Sequence, residues 1–121
     1  MIIRELNSID LPKLADLYEQ FWGDKSDVSK MEQQLEFIRR ENQHIILVCE
    51  DQGQVVGSVM GIVCRELYGD CRPFMVVENM IVDKTYRRTG IGQALLQELE
   101  RMAKERNCTQ MILVTEKDRE D

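Results

Sequence analysis

Apolar positions change period more than once along this chain of 121 residues. Met1–Leu6 begins apolar and β-branched and predicts a strand. Leu11, Leu14, Leu17, Tyr18 and Phe21 then recur at helical spacing, predicting an amphipathic helix over Leu11–Trp22 with Asp10 as its N-cap and Pro12 in its first turn. The polar stretch Gly23–Asp27 ends it. Ser29 and Glu32 have capping-box spacing, and Met31, Leu35 and Ile38 mark the buried stripe of a second helix. From His44 the period shortens. Ile45–Cys49 and Val55–Cys64, parted by the turn signal Asp51-Gln52-Gly53, predict an antiparallel hairpin. A loop with Gly69, Asp70 and Pro73 leads to a strand over Phe74–Val82. A helix over Gly90–Arg106 follows, with Leu95, Leu99 and Met102 on one face, and then a strand over Thr109–Thr115. The order is β-α-α-β-β-β-α-β. Its last strand–helix–strand unit requires parallel strands with a right-handed crossover, whereas the hairpin strands are antiparallel. The predicted class is therefore α/β: a mixed sheet with helices on both faces, in one domain over residues 1–121.

Composition narrows the partners. A hydrophobic fraction of 43% with 31% charged residues belongs to a packed globular chain rather than a disordered one. Apolar runs such as Ile45–Cys49 fall far short of the roughly 20 residues of a membrane helix. No basic stretch leads into an apolar run near Met1, so the expected compartment is the cytoplasm, with no membrane partner. Lys+Arg 16 against Asp+Glu 22 gives a net charge of −6, which argues against nonspecific nucleic-acid binding. Cys49, Cys64, Cys71 and Cys108 form no C-x-x-C pair and His44 is the sole histidine, so no metal site is expected. The thiols read as reduced and mostly buried, His44 as a surface or edge residue opening its strand, and the seven methionines as core filler.

One segment carries more chemistry than packing needs. Arg87-Arg88-Thr89-Gly90-Ile91-Gly92 joins a predicted strand to a predicted helix. A helix N-terminus presents backbone N–H groups without internal partners and a positive dipole end. Glycines let a phosphate approach that backbone, and Arg87 and Arg88, with Lys84 nearby, add charge-assisted donors. A P-loop is excluded because no Lys-Ser/Thr follows the second glycine. A dinucleotide fingerprint is excluded because Leu95 occupies the third glycine position. What remains is either an anion cradle or a tight turn that uses glycines for packing.

The stretch from Glu78 to Leu96, ENMIVDKTYRRTGIGQALL, resembles the core motif of the GNAT superfamily of N-acetyltransferases. That motif, Arg/Gln-x-x-Gly-x-Gly/Ala, is met by Arg87, Gly90 and Gly92, and the element order is similar to the family's along essentially the whole chain. The resemblance implies acetyl-CoA as co-substrate and a small-molecule or peptide amine as acceptor. It implies that backbone groups of Met80, Ile81 and Val82 take the pantetheine arm, which lies as an extra strand would. Arg87, Arg88, Thr89, Gly90, Ile91, Gly92 and Gln93 would form the pyrophosphate loop. Two parallel strands splaying near Val82 and Val114 would make the slot where cofactor and amine meet. A β-bulge near Met80–Ile81 would aim a backbone N–H at the thioester carbonyl.

Acyl transfer needs a neutral amine, and a carboxylate can accept the ammonium proton directly or through water. Glu78 is the candidate base, because charged residues are depleted inside strands and the family often carries a glutamate there. No general acid is assigned: the family's tyrosine lies in a later helix, and Tyr86 reads as a residue packed under its loop. The sequence stops at Asp121, short of the family's usual last helix and strands, with Lys117–Asp121 at the start of such a helix. Met111–Val114 is accordingly expected to be an exposed apolar edge closed by a homodimer. Two other readings stay open: a non-catalytic acyl-CoA-binding module, and a protein-interaction domain.

Overall fold

The computed structural model describes residues 1–114. The expected continuation of the last strand to Thr115 and the helix start at Lys117–Asp121 lie outside the described residues. The elements are β1 (Ile2–Glu5), a 3-10 turn (Ser8–Asp10), α1 (Leu11–Trp22), α2 (Val28–Glu41), β2 (His44–Asp51), β3 (Gln54–Cys64), β4 (Phe74–Val82), a second 3-10 turn (Lys84–Tyr86), α3 (Ile91–Glu105) and β5 (Met111–Leu113). They build one five-stranded sheet in the order β1-β2-β3-β4-β5. Neighbours are antiparallel from β1 to β4, and β5 joins β4 in parallel. This is the mixed α/β architecture expected from the element order.

Strand alternation sorts apolar side chains onto two faces. Ile45, Leu47, Met75 and Val77 meet Leu95 and Leu99 of α3 on one side. Val48, Val55 and Ile81 meet Leu11, Leu14 and Leu17 of α1 and Leu35 of α2 on the other. Helix α3 can lie this low because β3 carries Gly57 beneath its first turn. A Cβ added there would sit 2.9 Å from Ile91 Cγ2 and 3.3 Å from the Ile81 carbonyl oxygen.

Several local expectations are corrected. Asp10 does not cap α1 with its side chain. Its carboxylate accepts Arg4 Nη1–H and Nη2–H at 2.8 and 2.9 Å and the Asn7 N–H at 2.8 Å. Helix α2 is capped by Asp27, which accepts the Lys30 N–H at 3.1 Å, and Ser29 lies inside the helix. Strand β5 starts at Met111 rather than Thr109, whose N–H is spent on the Pro73 carbonyl at 2.8 Å. His44 opens an interior strand with its Nδ1 buried. Of the thiols only Cys49 is fully buried, and Cys71 is exposed.

Arg4 also reaches Glu50 Oε1 at 2.9 Å, tying β1 to β2 and to the turn before α1. The bond to Arg4, aided by the Asn7 N–H and opposed by burial, holds the Asp10 carboxyl below its ordinary pKa. A depressed folded pKa contributes stability that is full above the ordinary carboxylate range and is lost as pH falls from that range through the depressed value. Arg4→Ala strands a buried carboxylate and should cost about 3 kcal/mol near neutral pH, a melting temperature roughly 10 °C lower. The gap between variant and wild type should narrow only as pH falls below the ordinary carboxylate range, through the depressed pKa at which Asp10 protonates. Melting curves across pH check this, and a gap that stays constant to low pH would contradict it.

Candidate functional site

The candidate site lies along the second half of β4 and the loop that leads from it into α3. Strands β4 and β5 pair from Met75 with Met111 to Val77 with Leu113. One more bond runs from the Val114 N–H to the Val77 carbonyl at 3.2 Å. Beyond it β4 continues to Val82, paired on its β3 side through Ile81 with Ser58 and Val82 with Gly57. Among the described residues, the edge of Glu78–Val82 that faces away from β3 has no strand partner.

A β-bulge interrupts this part of β4. Met60 pairs with Glu78 and Ser58 with Ile81, so Asn79 and Met80 together oppose the single residue Val59. Asn79 takes up the extra residue at φ +54°, one position before the expected Met80–Ile81. The bulge inverts the alternation. Met75 and Val77 face α3 and Ile81 faces α1, while Met80 and Val82 turn back beneath α3. Glu78, next to Val77 and before the bulge, is half-buried on the α1 side of the strand.

The connection from β4 to α3 is pinned at several points. Asp83 donates its N–H to the Val56 carbonyl at 2.8 Å. Its carboxylate accepts the Thr85 N–H at 2.9 Å, the Thr85 hydroxyl at 2.7 Å and Gln20 Nε2–H at 3.1 Å, and these bonds, the Thr85 N–H first, lower its pKa. The Tyr86 hydroxyl donates to Asp51 Oδ2 at 3.0 Å, which raises the phenol's pKa and fixes the ring against the α3-side core. Tyr86 is thus a loop anchor, as its sequence context suggested. The Thr89 hydroxyl donates to the Tyr86 carbonyl. Arg88 (φ +66°) and Gly90 (φ +86°) both adopt left-handed backbone to turn the chain into α3.

Helix α3 starts without a side-chain cap. Its first internal bond runs from the Ala94 N–H to the Gly90 carbonyl at 3.0 Å, so the N–H groups of Ile91, Gly92 and Gln93 precede any intrahelical acceptor. Ile91 is buried and offers only its backbone, whereas Arg87, Arg88, Thr89, Gly90 and Gln93 are exposed. Gly92 decides between cradle and packing. A Cβ there would meet only Met80 Sδ and Val82 Cγ2, both at an ordinary 3.8 Å, and its φ is not positive. Packing does not require this glycine, which costs a helix roughly 0.5–1 kcal/mol relative to alanine. Its missing side chain fits a ligand anion approaching the first turn of α3, and the residues present suit a pyrophosphate.

Residues 11–121 match the acetyltransferase (GNAT) family. The chain belongs to that family. A glucosamine 6-phosphate N-acetyltransferase of Trypanosoma brucei brucei is 30% identical over 61 residues, 50% of this chain and 42% of that protein, so the match spans less than half of that curated relative. Among solved structures, glucosamine-6-phosphate N-acetyltransferase from Arabidopsis thaliana superposes with a TM-score of 0.88 at 22% identity, over 97% of this chain and 83% of the other. A Trypanosoma brucei acetyltransferase gives 0.85 at 22% identity, covering 97% and 84%. A ribosomal-protein-alanine N-acetyltransferase from Brucella melitensis gives 0.76 at 29% identity, covering 93% and 73%.

In this GNAT domain the fold gathers Met80, Val82 and the loop Arg87–Gln93 around the first turn of α3, with Glu78 and the bulge farther back along β4. Three residues of the site escaped the sequence reading. Asn79 left a trace, since asparagine accepts left-handed backbone better than most residues. Asp83 left one too, two positions before Thr85 as in an Asx turn. Gln20 left none, because its partner lies 63 residues away.

Proposed function

We propose that this GNAT domain binds acetyl-CoA and transfers its acetyl group to a primary amine by direct attack on the thioester. Gly92 carries the reading: a helix-first-turn glycine with no role in packing, beside uncapped N–H groups and two exposed arginines. The N–H groups of Ile91, Gly92 and Gln93, with Arg87, Arg88 and Thr89, take the pyrophosphate. The free edge of Met80, Ile81 and Val82 takes the pantetheine amides as an added strand would. The bulge supplies a backbone N–H to the thioester oxygen, where charge gathers during attack. Glu78 accepts the proton of the amine, directly or through water. The names of the relatives point to amino sugars or protein N-termini as acceptors, with amino sugars tried first.

We further infer a single cytoplasmic domain that pairs with a second copy through β5. Ile112, Leu113 and Val114 there are 41–59% exposed and apolar. Sedimentation showing a strict monomer at micromolar concentration would refute the pairing.

The function is tested by release of free coenzyme A from acetyl-CoA with a panel of amines, glucosamine 6-phosphate and an alanine-ended peptide among them. Glu78→Gln should leave acetyl-CoA affinity within about twofold while lowering kcat about a hundredfold near pH 7. The deficit should shrink as pH rises through the amine's own pKa, roughly 8 for a peptide N-terminus. Equal rates at every pH would remove Glu78 as the base. Binding without turnover of any amine would leave a non-catalytic acyl-CoA-binding module.

A further inference from the structure

Helix α1 touches the proposed site at a point that nothing in the chemistry so far uses. Near its C-terminal end Gln20 grips the start of the phosphate loop with both ends of its carboxamide. Its Nε2–H donates to Asp83 Oδ2 at 3.1 Å, and its Oε1 accepts the Lys84 N–H at 3.3 Å. The other oxygen of Asp83 holds the N–H and hydroxyl of Thr85, so one side chain of α1 stabilises the whole turn from which Arg87–Gly90 depart.

We propose that Gln20 is a positioning residue for acetyl-CoA, setting the loop that takes the pyrophosphate. The proposal rests on the acetyl-CoA reading above. Gln20 acts through Asp83 and Lys84, so loss of its bonds loosens cofactor binding and spares the chemical step.

The variant is Gln20→Met, which keeps shape and removes the bonds. In the protein without ligand, Gln20→Met should speed hydrogen exchange of the Lys84 amide about tenfold and leave the interior amides of α3 unchanged. With acetyl-CoA it should raise the calorimetric Kd about tenfold, with kcat at saturation within about twofold of wild type. An unchanged Lys84 exchange rate, or losses of Kd and kcat that simply follow a fall in melting temperature, would overturn the proposal. If the wild type acetylates no amine, the transfer reading falls by itself. The Lys84 exchange and the Kd still decide the positioning role.

Discussion

Gly92→Ala should stabilise the ligand-free protein and weaken acetyl-CoA binding at the same time. The added methyl meets Met80 Sδ and Val82 Cγ2 at 3.8 Å, so the fold accepts it without movement. Helix propensity then favours alanine by roughly 0.5–1 kcal/mol, a melting temperature higher by a few degrees. The same methyl stands where the pyrophosphate must approach the first-turn N–H groups. We expect at least a tenfold loss of affinity, about 1.4 kcal/mol, and complete loss with Gly92→Val. Acetyl-CoA at about a hundred times its Kd should stabilise the wild type by ~2.7 kcal/mol, and Gly92→Val should abolish that shift. Substitutions that harm binding by harming the fold move both quantities downward, so opposite signs are diagnostic. An alanine variant that binds as tightly as wild type would return Gly92 to the role of an incidental turn residue.

Gly57 gives the converse case. A Cβ there falls 2.9 Å from Ile91 Cγ2 and 3.3 Å from both Leu95 Cδ1 and the Ile81 carbonyl oxygen. Ile91 and Leu95 are buried and Ile81 is backbone in a paired strand, so the space can open only if α3 lifts. Gly57→Val should cost about 3 kcal/mol, roughly 10 °C in melting temperature. Because Ile91 is the first residue of α3, acetyl-CoA affinity should fall together with stability. Chemical denaturation and calorimetry on the same samples check both. A valine variant as stable as wild type would mean that α3 does not rest on β3 as described.

What could be read from the sequence, and what could not, divides by range. The bounds of α1 and β4 and the Asp51–Gly53 hairpin turn follow from apolar period and from local backbone preference. In that turn Gln52 (φ +51°) and Gly53 (φ +76°) take the left-handed backbone such turns need. The loop Arg87–Gly92 was legible for the same reason, since a glycine and a helix start sit side by side in the chain. Asp10 misled because two local signals compete. It stands where a cap belongs, but Arg4, itself held by Glu50 from β2, offers a buried carboxylate more than helix N–H groups do. Asp27 prevailed over Ser29 because the chain is extended at Asp27 (φ −86°, ψ 106°), the geometry that turns an N-cap side chain onto the following amides. The bulge was foreseen to within one residue from the family resemblance. Its seat at Asn79 depends on the pairing with β3, a tertiary contact that no periodicity encodes.

The account stands on acetyl-CoA lying across the first turn of α3 and along the free edge of β4. An amide-resolved NMR titration of the wild-type protein with acetyl-CoA tests this directly. The largest shifts are predicted at Gly90, Ile91, Gly92 and Gln93, with a second group at Met80, Ile81 and Val82, and little change along β1 and α2. No saturable shift at millimolar acetyl-CoA, or shifts clustered away from α3 and β4, would contradict it.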